Sequence, residues 1–499
     1  MYYKSTRDSS IKVTSAEAVI KGLSEEGGLF IPESLPEITA EEIDLMGEMS
    51  YPERAFLILR KFFTDFTDDE LKSAVESAYG ENFSVPNATV LSKLYPDCYV
   101  LELFHGPTCA FKDMALQLLP YLMTVSAKKV EAVKDRHIAI LTATSGDTGK
   151  AALEGFKNVS GTSIAVFYPD EGVSEMQKRQ MITQEGENVY VCSVKGNFDD
   201  CQNAVKEIFT DPELAARLAE KNMLFSSANS INWGRLAPQI VYYISMYASL
   251  LFEGEIKKGE KINICVPTGN FGNILAAYYA KEMGLPVNKL ICASNTNNIL
   301  TDFIKTGVYD RNREFHVTVS PSMDILISSN LERLIYQYHL SEQECSSLKG
   351  WFTALKDKGR YEVNDRVKEK LTADFYAGWC GEEKTKAVIK GIFDDYSYLM
   401  DPHTAVAYGV YAEYREETGD KIKTVIAATA SPYKFCAAVY DALGKTPDAD
   451  EFKTAEDLEK LTNTEMPEPL AKTRGLPVRF TDCTEKDGLK RVVSEMLKV

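Results

Sequence analysis

One lysine, Lys112, follows a run of residues whose order could support covalent or proton-transfer chemistry. A strand-like apolar segment, 99–104, leads into a turn at Gly106-Pro107, and Lys112 then stands beside Phe111 where a helical pattern begins. Burial at such a position disfavours the ammonium form and lowers the pKa of the amine. A neutral amine can condense with a carbonyl group or take a proton. An exposed lysine at a helix start is the alternative, so the other motifs decide.

A second candidate is the turn Gly269-Asn270-Phe271-Gly272-Asn273, which lies between a predicted strand and a predicted helix. Its small residues allow backbone N–H groups and the positive end of the helix dipole to face an anion. The spacing is not that of a dinucleotide-binding turn, and no acidic residue follows where such a fold would place one. The turn therefore predicts a site for a single phosphate, with a purely structural turn as the alternative.

The loop Thr144-Ser145-Gly146-Asp147-Thr148-Gly149-Lys150 partly matches a P-loop and raises the alternative of a nucleotide hydrolase. A P-loop needs a glycine where this chain has Thr144, and a hydroxyl residue where Ala151 follows the lysine. The match is therefore poor. An anion-binding turn remains, with hydroxyl and N–H groups that suit a carboxylate.

An arginine precedes the longest uncharged run of the chain. The segment 226–235 places amides, hydroxyls and the guanidinium of Arg235 before a run that ends at Glu253, where we predict a buried helix. Arginine is suited to two-pronged recognition of phosphate. An ordinary capped helix start is the alternative.

Repeated strand–loop–helix patterns position these motifs. The predicted strands are 137–142, 163–167, 262–266, 290–293 and 424–428. The alternation of short strands with helices predicts an α/β fold with parallel sheets covered by helices on both faces. In such sheets ligands bind at the carboxyl ends of strands. The loops 144–149, 267–272 and 429–432 are all expected at such ends.

The length of 499 residues is typical of about three domains. Helices capped by Ser15 and Thr67 are expected near the N-terminus, and charged helical stretches mark an insertion later in the chain. We predict an N-terminal helical cover (1–95), a smaller α/β domain with Lys112 (96–225), a large α/β domain with the phosphate turn (226–324), an inserted helical subdomain (325–395) and the completion of the large domain (396–499).

The composition argues against several classes of function. A net charge of −17 and a pI near 5.0 argue against non-specific binding to nucleic acids or anionic membranes, which needs clustered Lys and Arg. The ten cysteines form no C-x-x-C pair, and the five histidines lack metal-binding spacing, so neither a zinc site nor a disulfide framework is predicted. With no apolar signal segment and no membrane span, we expect a cytoplasmic protein.

Several segments, in matching order, resemble the threonine synthase family in its longer microbial and fungal branch. Besides 104–113, the matching segments are 143–149, 229–235, 266–273, 401–405 and 429–432. The resemblance covers nearly the whole chain. It implies the pyridoxal-phosphate (PLP) fold type II, with two parallel-sheet domains, and a monomer or homodimer. It also implies conversion of O-phospho-L-homoserine and water to L-threonine and phosphate.

The resemblance also assigns roles to single residues. Lys112 would bind the cofactor covalently, Thr429 would hydrogen-bond its pyridine nitrogen, and Asp147 would face its ring hydroxyl, where many fold relatives have asparagine. The cofactor phosphate would be held by Gly269, Asn270, Phe271, Gly272 and Asn273. The candidates for substrate binding are Ser145, Thr148, Asn229, Ser230 and Arg235, with Lys150 and Arg179 as further candidates. His403 suits a helix cap, the core or the site equally, and no metal ligand is implied.

Two reactions are compatible with these motifs. In the synthase, Lys112 would remove the α-proton of the substrate, and loss of phosphate would be followed by addition of water. A lyase on the same scaffold would give 2-oxobutyrate, ammonia and phosphate. We favour the synthase because the resemblance extends through 229–235 and 401–405. Domain closure over the site is expected to control water.

Overall fold

The computed structural model describes residues 1–144, 146–170, 173–196, 198–339 and 345–499. Within these ranges the architecture is mixed α/β with two parallel sheets, which confirms the predicted fold class. No helix in the same ranges is long and apolar enough to cross a membrane. These residues also contain no group of three or more His, Cys, Asp or Glu that could hold a metal ion.

The strands of the described residues are β1 (Tyr3–Ser5), β2 (Lys12–Val13), β3 (Phe30–Pro32), β4 (Val90–Tyr95), β5 (Cys98–Glu102), β6 (His137–Ala143), β7 (Thr162–Pro169), β8 (Val189–Val194), β9 (Met223–Ser226), β10 (Ile262–Pro267), β11 (Val287–Ser294), β12 (Val308–Asp310), β13 (Arg360–Glu362), β14 (Phe375–Trp379), β15 (Thr424–Ala428) and β16 (Cys483–Thr484). The helices are α1 (Ser15–Lys21), α2 (Ala40–Leu45), α3 (Tyr51–Leu59), α4 (Asp68–Ala78), α5 (Asp113–Leu116), α6 (Leu119–Lys129), α7 (Asp147–Phe156), α8 (Glu175–Ile182), α9 (Phe198–Phe209), α10 (Pro212–Glu220), α11 (Trp233–Phe252), α12 (Gly272–Glu282), α13 (Ile299–Thr306), α14 (Leu331–His339), α15 (Cys345–Lys358), α16 (Asp365–Asp374), α17 (Glu382–Tyr396), α18 (Pro402–Thr418), α19 (Cys436–Ala442), α20 (Glu451–Thr462), α21 (Glu468–Ala471) and α22 (Leu489–Leu497).

The larger sheet has the order β14-β11-β10-β15-β5-β4. Its pairs are parallel except for β4, which runs antiparallel to β5 at one edge. Cys265 of β10 pairs with Ile426 of β15, which in turn pairs with Val100 of β5. All three residues are buried, as expected of strands covered on both faces. The carboxyl ends of β10, β15 and β5 therefore bring three loops to one edge of the sheet.

The smaller sheet has the order β16-β8-β7-β6-β9, and its pairs are parallel. Helix α7, which follows β6, begins at Asp147, inside the predicted loop 144–149. The glycines on both sides of Asp147 made this stretch resemble a loop. Because Asp147 is the first residue of α7, the helix fixes its position close to the carboxyl end of β6.

Strand pairing crosses several predicted domain boundaries, and the five-part division stays a prediction. Strand β5 falls in the predicted unit 96–225 but pairs with β15 in the larger sheet. Strand β16 falls in the unit 396–499 but pairs with β8 in the smaller sheet. The segment 325–395, expected to be helical, also contains β14, which pairs with β11. Because these paired strands are far apart in the sequence, no local pattern could predict the pairings.

The helical predictions near the N-terminus are mostly confirmed. Thr67 caps α4, as predicted, but α1 is capped by Thr14, and Ser15 is the first residue of that helix. The long uncharged run forms α11, which is buried along most of its length. It packs against α12, α3 and α5. Helix α11 therefore joins an N-terminal helix to the helices that follow β5 and β10.

Candidate active site

Lys112 lies immediately before α5, in the loop that follows β5. Its side chain is buried, with 9% of the residue exposed. The amine donates a hydrogen bond to Asp147 Oδ2 at 3.3 Å and another to Ser322 Oγ at 3.2 Å. Burial lowers the pKa of the Lys112 amine; Asp147 opposes this shift, whereas the positive charges of Lys434 and Arg235 add to it. Burial thus shifts the Lys112 amine towards its neutral form, the direction expected from the sequence.

Asp147 comes from the smaller sheet and meets side chains from the larger one. Besides Lys112, it accepts a hydrogen bond from Gln177 Nε2 at 2.8 Å and pairs with Lys434 at 2.7 Å. Burial opposes ionisation of this carboxyl, but the charges of Lys434 and Lys112 outweigh it and hold the pKa of Asp147 well below its usual range. Asp147 is therefore a carboxylate in this structure.

The loops after β5 and β15 are joined by backbone contacts. Phe111 N–H donates to the carbonyl of Thr429 at 2.8 Å, and Ser431 N–H donates to the carbonyl of Cys109 at 3.1 Å. Thr429 is buried. Because Phe111 directly precedes Lys112, these contacts fix Thr429 near the lysine, as the predicted site requires.

The predicted phosphate turn follows β10 and includes the first two residues of α12, Gly272 and Asn273. Phe271 has a left-handed backbone (φ 63°), and its ring is buried, so it contributes through its backbone. A side chain at Gly269 would place its Cβ only 2.4 Å from the carbonyl oxygen of Ser322. The turn therefore touches the same residue that faces Lys112. Backbone N–H groups at the start of α12 lie in this turn, where the sequence predicts an anion site.

Asn330 and Ser328 hold this turn in place. The backbone and side-chain N–H groups of Asn330 both donate to the carbonyl of Asn270 at 3.1 Å, and the side chain also donates to the carbonyl of Ser230 at 3.2 Å. Ser328 Oγ donates to the carbonyl of Gly269 at 2.7 Å. Ser230 is thereby placed beside the phosphate turn.

The amide oxygen of Asn273 bonds to α11, whereas its buried amide nitrogen has no partner within the described residues. Its Oδ1 accepts hydrogen bonds from Tyr242 at 2.7 Å and from Tyr243. The side chain is buried. Asn273 is thus available to an anion in the turn through its backbone N–H, while its amide oxygen joins α12 to α11.

Arg235 is a buried arginine with an unused donor. Its Nη1 donates to the carbonyl of Ala228 at 2.9 Å, and its Nε has no hydrogen-bond partner within the described residues. Burial lowers the pKa of Arg235 to about 10, so the guanidinium remains charged at neutral pH. Its charge also affects the pKa of Lys112. A buried, charged and incompletely bonded guanidinium is suited to an anionic ligand.

The remaining predicted residues are less closely tied to Lys112. Asn229 is exposed, and Thr148 is half-buried in the first turn of α7. Ser145 lies outside the described residues. The amine of Lys150 pairs with Glu154 at 2.9 Å. Arg179 donates to the carbonyls of Thr473, Arg474 and Leu476, so it holds the C-terminal segment.

Four contact residues were not predicted from the sequence: Gln177, Ser322, Asn330 and Lys434. Lys434 lies in the 3-10 turn Pro432–Phe435, directly after the motif that contains Thr429, and this proximity was an available signal. Ser322 lies in another 3-10 turn, Pro321–Met323, within a segment that has no helical or strand periodicity. Only the tertiary structure brings it to Lys112.

His403 supports Ser322 from α18. Its Nδ1 lies 2.6 Å from Asp401 Oδ2, the carboxylate that caps the helix, and its Nε2 accepts the Ser322 backbone N–H at 3.2 Å. An Nδ1–H donated to Asp401 leaves Nε2 free as the acceptor, and the two contacts agree on this tautomer. His403 therefore connects the cap of α18 to the lysine through one serine.

A cavity of about 760 Å³ borders the site. Its walls include Gly106 and Cys109 from the loop before Lys112, Lys150 from α7, and Tyr398 and Pro432 from the other side. Lys112 is not part of its lining. The cavity therefore lies next to the predicted centre, against the same loop.

Family models match three parts of the chain: "Threonine synthase N terminus" over residues 2–79, "Pyridoxal-phosphate dependent enzyme" over 88–345 and "Threonine synthase, C-terminal" over 404–493. The threonine synthase of Schizosaccharomyces pombe is 39% identical over 89% of this chain and 90% of its own length. The solved threonine synthases of yeast and Brucella melitensis superpose with TM-scores of 0.89 and 0.88 at 34% and 35% identity, covering 100% of this chain and 99% and 100% of theirs. The chain belongs to the threonine synthase family.

Membership of the threonine synthase family confirms the predicted family and the PLP fold type II. It also confirms PLP as the cofactor, since the matching central model is that of PLP-dependent enzymes. A human protein named threonine synthase-like 1 is 41% identical over 86% of this chain. The chain spans only 58% of the length of that relative.

The residues present fit PLP. The cofactor carries an aldehyde, which a buried amine with a lowered pKa such as that of Lys112 can capture. It also carries a phosphate, which suits the backbone N–H groups where α12 begins. At Gly272 a Cβ would meet only the amide nitrogens of Asn330 at 3.4 Å and Gln239 at 3.7 Å. The Cβ position at Gly272 therefore faces space in which a bound anion could lie.

Proposed function

We propose that this chain is a threonine synthase, which converts O-phospho-L-homoserine and water to L-threonine and phosphate with PLP bound to Lys112. The observation that carries the proposal is the burial of Lys112 against Asp147 and Ser322, at the edge where the loops after β5, β10 and β15 meet. Relatives that bear this name and align over about nine-tenths of both chains support the same activity.

Lys112 would move the protons of the reaction. PLP, when bound, supplies an electron sink for negative charge at the substrate α-carbon. The Lys112 amine, once released by the substrate amine, would take the α-proton, and its lowered pKa suits a base that works at neutral pH. Ser322 Oγ would hold the amine in place through its 3.2 Å hydrogen bond.

The reaction involves two phosphates, and the chain offers two candidate sites. The turn 269–273, at the start of α12, would hold the cofactor phosphate. Arg235, whose Nε lacks a partner among the described residues, would bind the substrate phosphate and orient it as a leaving group. Ser230 and Asn229 precede Arg235 in the chain and would complete that site. This division of roles gives each anion its own set of donors.

The loop before α7 would bind the substrate carboxylate. Thr144 Oγ1 accepts hydrogen bonds from the N–H groups of Gly146 at 3.0 Å and Gly149 at 2.9 Å, which orders the loop. Thr148 lies in the first turn of α7, where the helix dipole favours negative charge. Ser145 and Thr148 are the proposed side-chain ligands.

Product analysis in ¹⁸O-labelled water tests the activity. Purified protein loaded with PLP is expected to form threonine with solvent oxygen on its β-carbon, in step with phosphate release. Threonine should not form when O-phospho-L-homoserine is replaced by L-homoserine, because hydroxide is a poor leaving group. Absence of threonine from the protein with bound PLP would rule out the proposed activity.

A lyase that gives 2-oxobutyrate is the second candidate, since it would use the same lysine and the same phosphate sites. The same experiment separates the two: 2-oxobutyrate as the main product, at the rate of phosphate release, identifies the lyase. A cytoplasmic location and a monomeric or homodimeric state remain predictions.

A further inference from the structure

A second lysine, Lys434, is buried and is in contact with Asp147 of the site. It lies in the 3-10 turn that follows β15, and its side chain is 0% exposed. The amine lies 2.7 Å from Asp147 Oδ1 and donates to the carbonyl of Thr108 at 2.9 Å. Asp147 therefore stands between two lysine amines, with Oδ1 on Lys434 and Oδ2 on Lys112.

This arrangement has electrostatic consequences. An isolated buried charge is strongly unfavourable, so a buried lysine persists when a carboxylate pairs with it. Asp147 lies in direct contact with both amines, and its negative charge is shared between them. Any loss of positive charge at Lys434 therefore changes the field that Asp147 and Lys434 together exert on the Lys112 nitrogen.

We propose that Lys434 is a positioning residue that acts through Asp147 to set the protonation of the Lys112 nitrogen. The inference rests on the proposed function in one respect, namely that Lys112 carries the cofactor. Lys434 keeps Asp147 ionised and holds one of its oxygens, so that the other faces Lys112. Its own positive charge also partly offsets the negative charge of Asp147, which keeps the Lys112 nitrogen easier to deprotonate.

Other charged groups surround this set from several elements. Arg235 on α11 adds positive charge near Lys112. Asp113 on α5 lies near Lys434, and burial raises the pKa of the Asp113 carboxyl to about 6. Burial also raises the pKa of the neighbouring Cys109 thiol, to about 12. Lys150 on α7 also affects Cys109. Asp113 is ionised above pH 7, and the Cys109 thiol stays neutral until well above pH 8. Neither charge therefore changes in the pH range of the test below.

The test is a pH titration of the visible absorption band of the PLP-bound protein, above pH 7. Lys434→Met is expected to raise the midpoint by about one unit, because a positive charge is removed near the Lys112 nitrogen. Asp147→Asn is expected to lower it by a similar amount, because the negative charge in direct contact is lost. The double variant should return to within a few tenths of a unit of the wild type, since both charges are removed together.

Two additional variants guard the interpretation. Lys434→Gln is also neutral and can keep the hydrogen bond to Thr108, so it should give the same upward shift if Lys434→Met does not fold. Lys281→Met removes a lysine that pairs with Asp374 at 2.7 Å, outside this set of residues, and should leave the midpoint unchanged.

The outcomes distinguish this inference from the proposed function. A wild-type midpoint in folded Lys434→Met or Lys434→Gln would overturn the role of Lys434. The role would also be overturned if the two single variants shifted the midpoint in the same direction. A double variant whose midpoint lies further from the wild-type value than that of either single variant would overturn it as well. If the wild type with added PLP has no visible band, the assignment of Lys112 fails instead.

Discussion

The hydroxyl of Ser322 lies 3.2 Å from the amine of Lys112, while the backbone N–H of the same serine donates to His403 Nε2 at 3.2 Å. His403 is in turn fixed by Asp401, which caps α18. The carbonyl of Ser322 also lies against Gly269 of the phosphate turn. The short turn Pro321–Met323 thus connects Lys112, the predicted phosphate turn and helix α18.

Ser322→Ala should therefore lower turnover without abolishing cofactor binding. The lysine loses one hydrogen-bond acceptor, which holds its amine in position, and we expect kcat to fall roughly tenfold with little change in KM. Steady-state kinetics of the PLP-loaded variant gives both values. Ser126→Ala is the matched control, because Ser126 is also buried but its hydroxyl has no partner within the described residues. Equal kcat values for Ser322→Ala and wild type would contradict the role.

Lys112 is expected to be the residue that carries PLP. Borohydride reduction of the loaded protein, followed by peptide mapping, should place the label on the peptide that contains Lys112. Lys112→Ala should lose the visible absorption band but stay folded, since the change removes a buried amine and leaves the buried Asp147 paired with Lys434. A label on Lys434, the other buried amine beside Asp147, would reverse the two assignments.

Gly272→Asp should weaken PLP binding far more than it weakens the fold. The nearest atoms to an added Cβ are amide nitrogens at 3.4 and 3.7 Å, so the side chain has room. Its carboxylate would repel the cofactor phosphate by ~4 kcal/mol at about 4 Å, enough for at least a 100-fold loss of affinity. Absorbance titration with PLP measures the affinity, and thermal unfolding of the protein without PLP measures stability.

Gly350→Asp is the control for this substitution, because Gly350 is an exposed residue of α15 with no atom within 4 Å of the Cβ position. Its PLP affinity should equal that of the wild type. If Gly272→Asp also binds PLP normally, the turn 269–273 holds some other ligand.

Arg235→Lys should impair the use of substrate more than the binding of PLP. Lysine keeps the positive charge but loses the planar, two-pronged donor set, and the loss of one charge-assisted hydrogen bond predicts a roughly 10- to 100-fold increase in KM. Arg54→Lys offers a matched comparison, since Arg54 is a buried arginine that bonds Ser245 and Ser249 of the same helix α11. It should lower stability and leave KM unchanged. A normal KM in Arg235→Lys would assign the substrate phosphate elsewhere.

The stability of the protein should respond to the titration of Asp113. Burial raises the pKa of this carboxyl from 3.8 to about 6, so the folded protein binds its proton more tightly than the unfolded chain does. The resulting stabilisation is complete well below the unfolded pKa of 3.8, is lost as the pH rises to about 6, and amounts to ~3 kcal/mol in full. Asp113→Asn cannot titrate there.

Urea unfolding of wild type and Asp113→Asn at pH 4 and pH 7 measures this difference. The wild type should lose ~2 kcal/mol more than the variant between the two pH values, whatever the overall stability of the variant. Parallel pH profiles would show that Asp113 is ionised at its normal pKa in the folded protein.

Local patterns in the sequence were sufficient for much of this site. The turn and helix start around Lys112, the glycine-rich turn at 269–273 and the buried helix before Glu253 depend on neighbouring residues, through glycine, proline and the spacing of apolar side chains. The expectation that the loops lie at the carboxyl ends of parallel strands followed from the alternation of strands and helices, and it holds for the loops after β6, β10 and β15.

Only the tertiary structure decided which side chains meet at the lysine. Lys112 and Ser322 are 210 positions apart, and strand pairing places β5 beside β15 across most of the chain. Asp147 reaches Lys434 because the two sheets bring their loops together. Such contacts follow from the packing of distant elements, whose free energy is spread over the whole core, and no local periodicity encodes them.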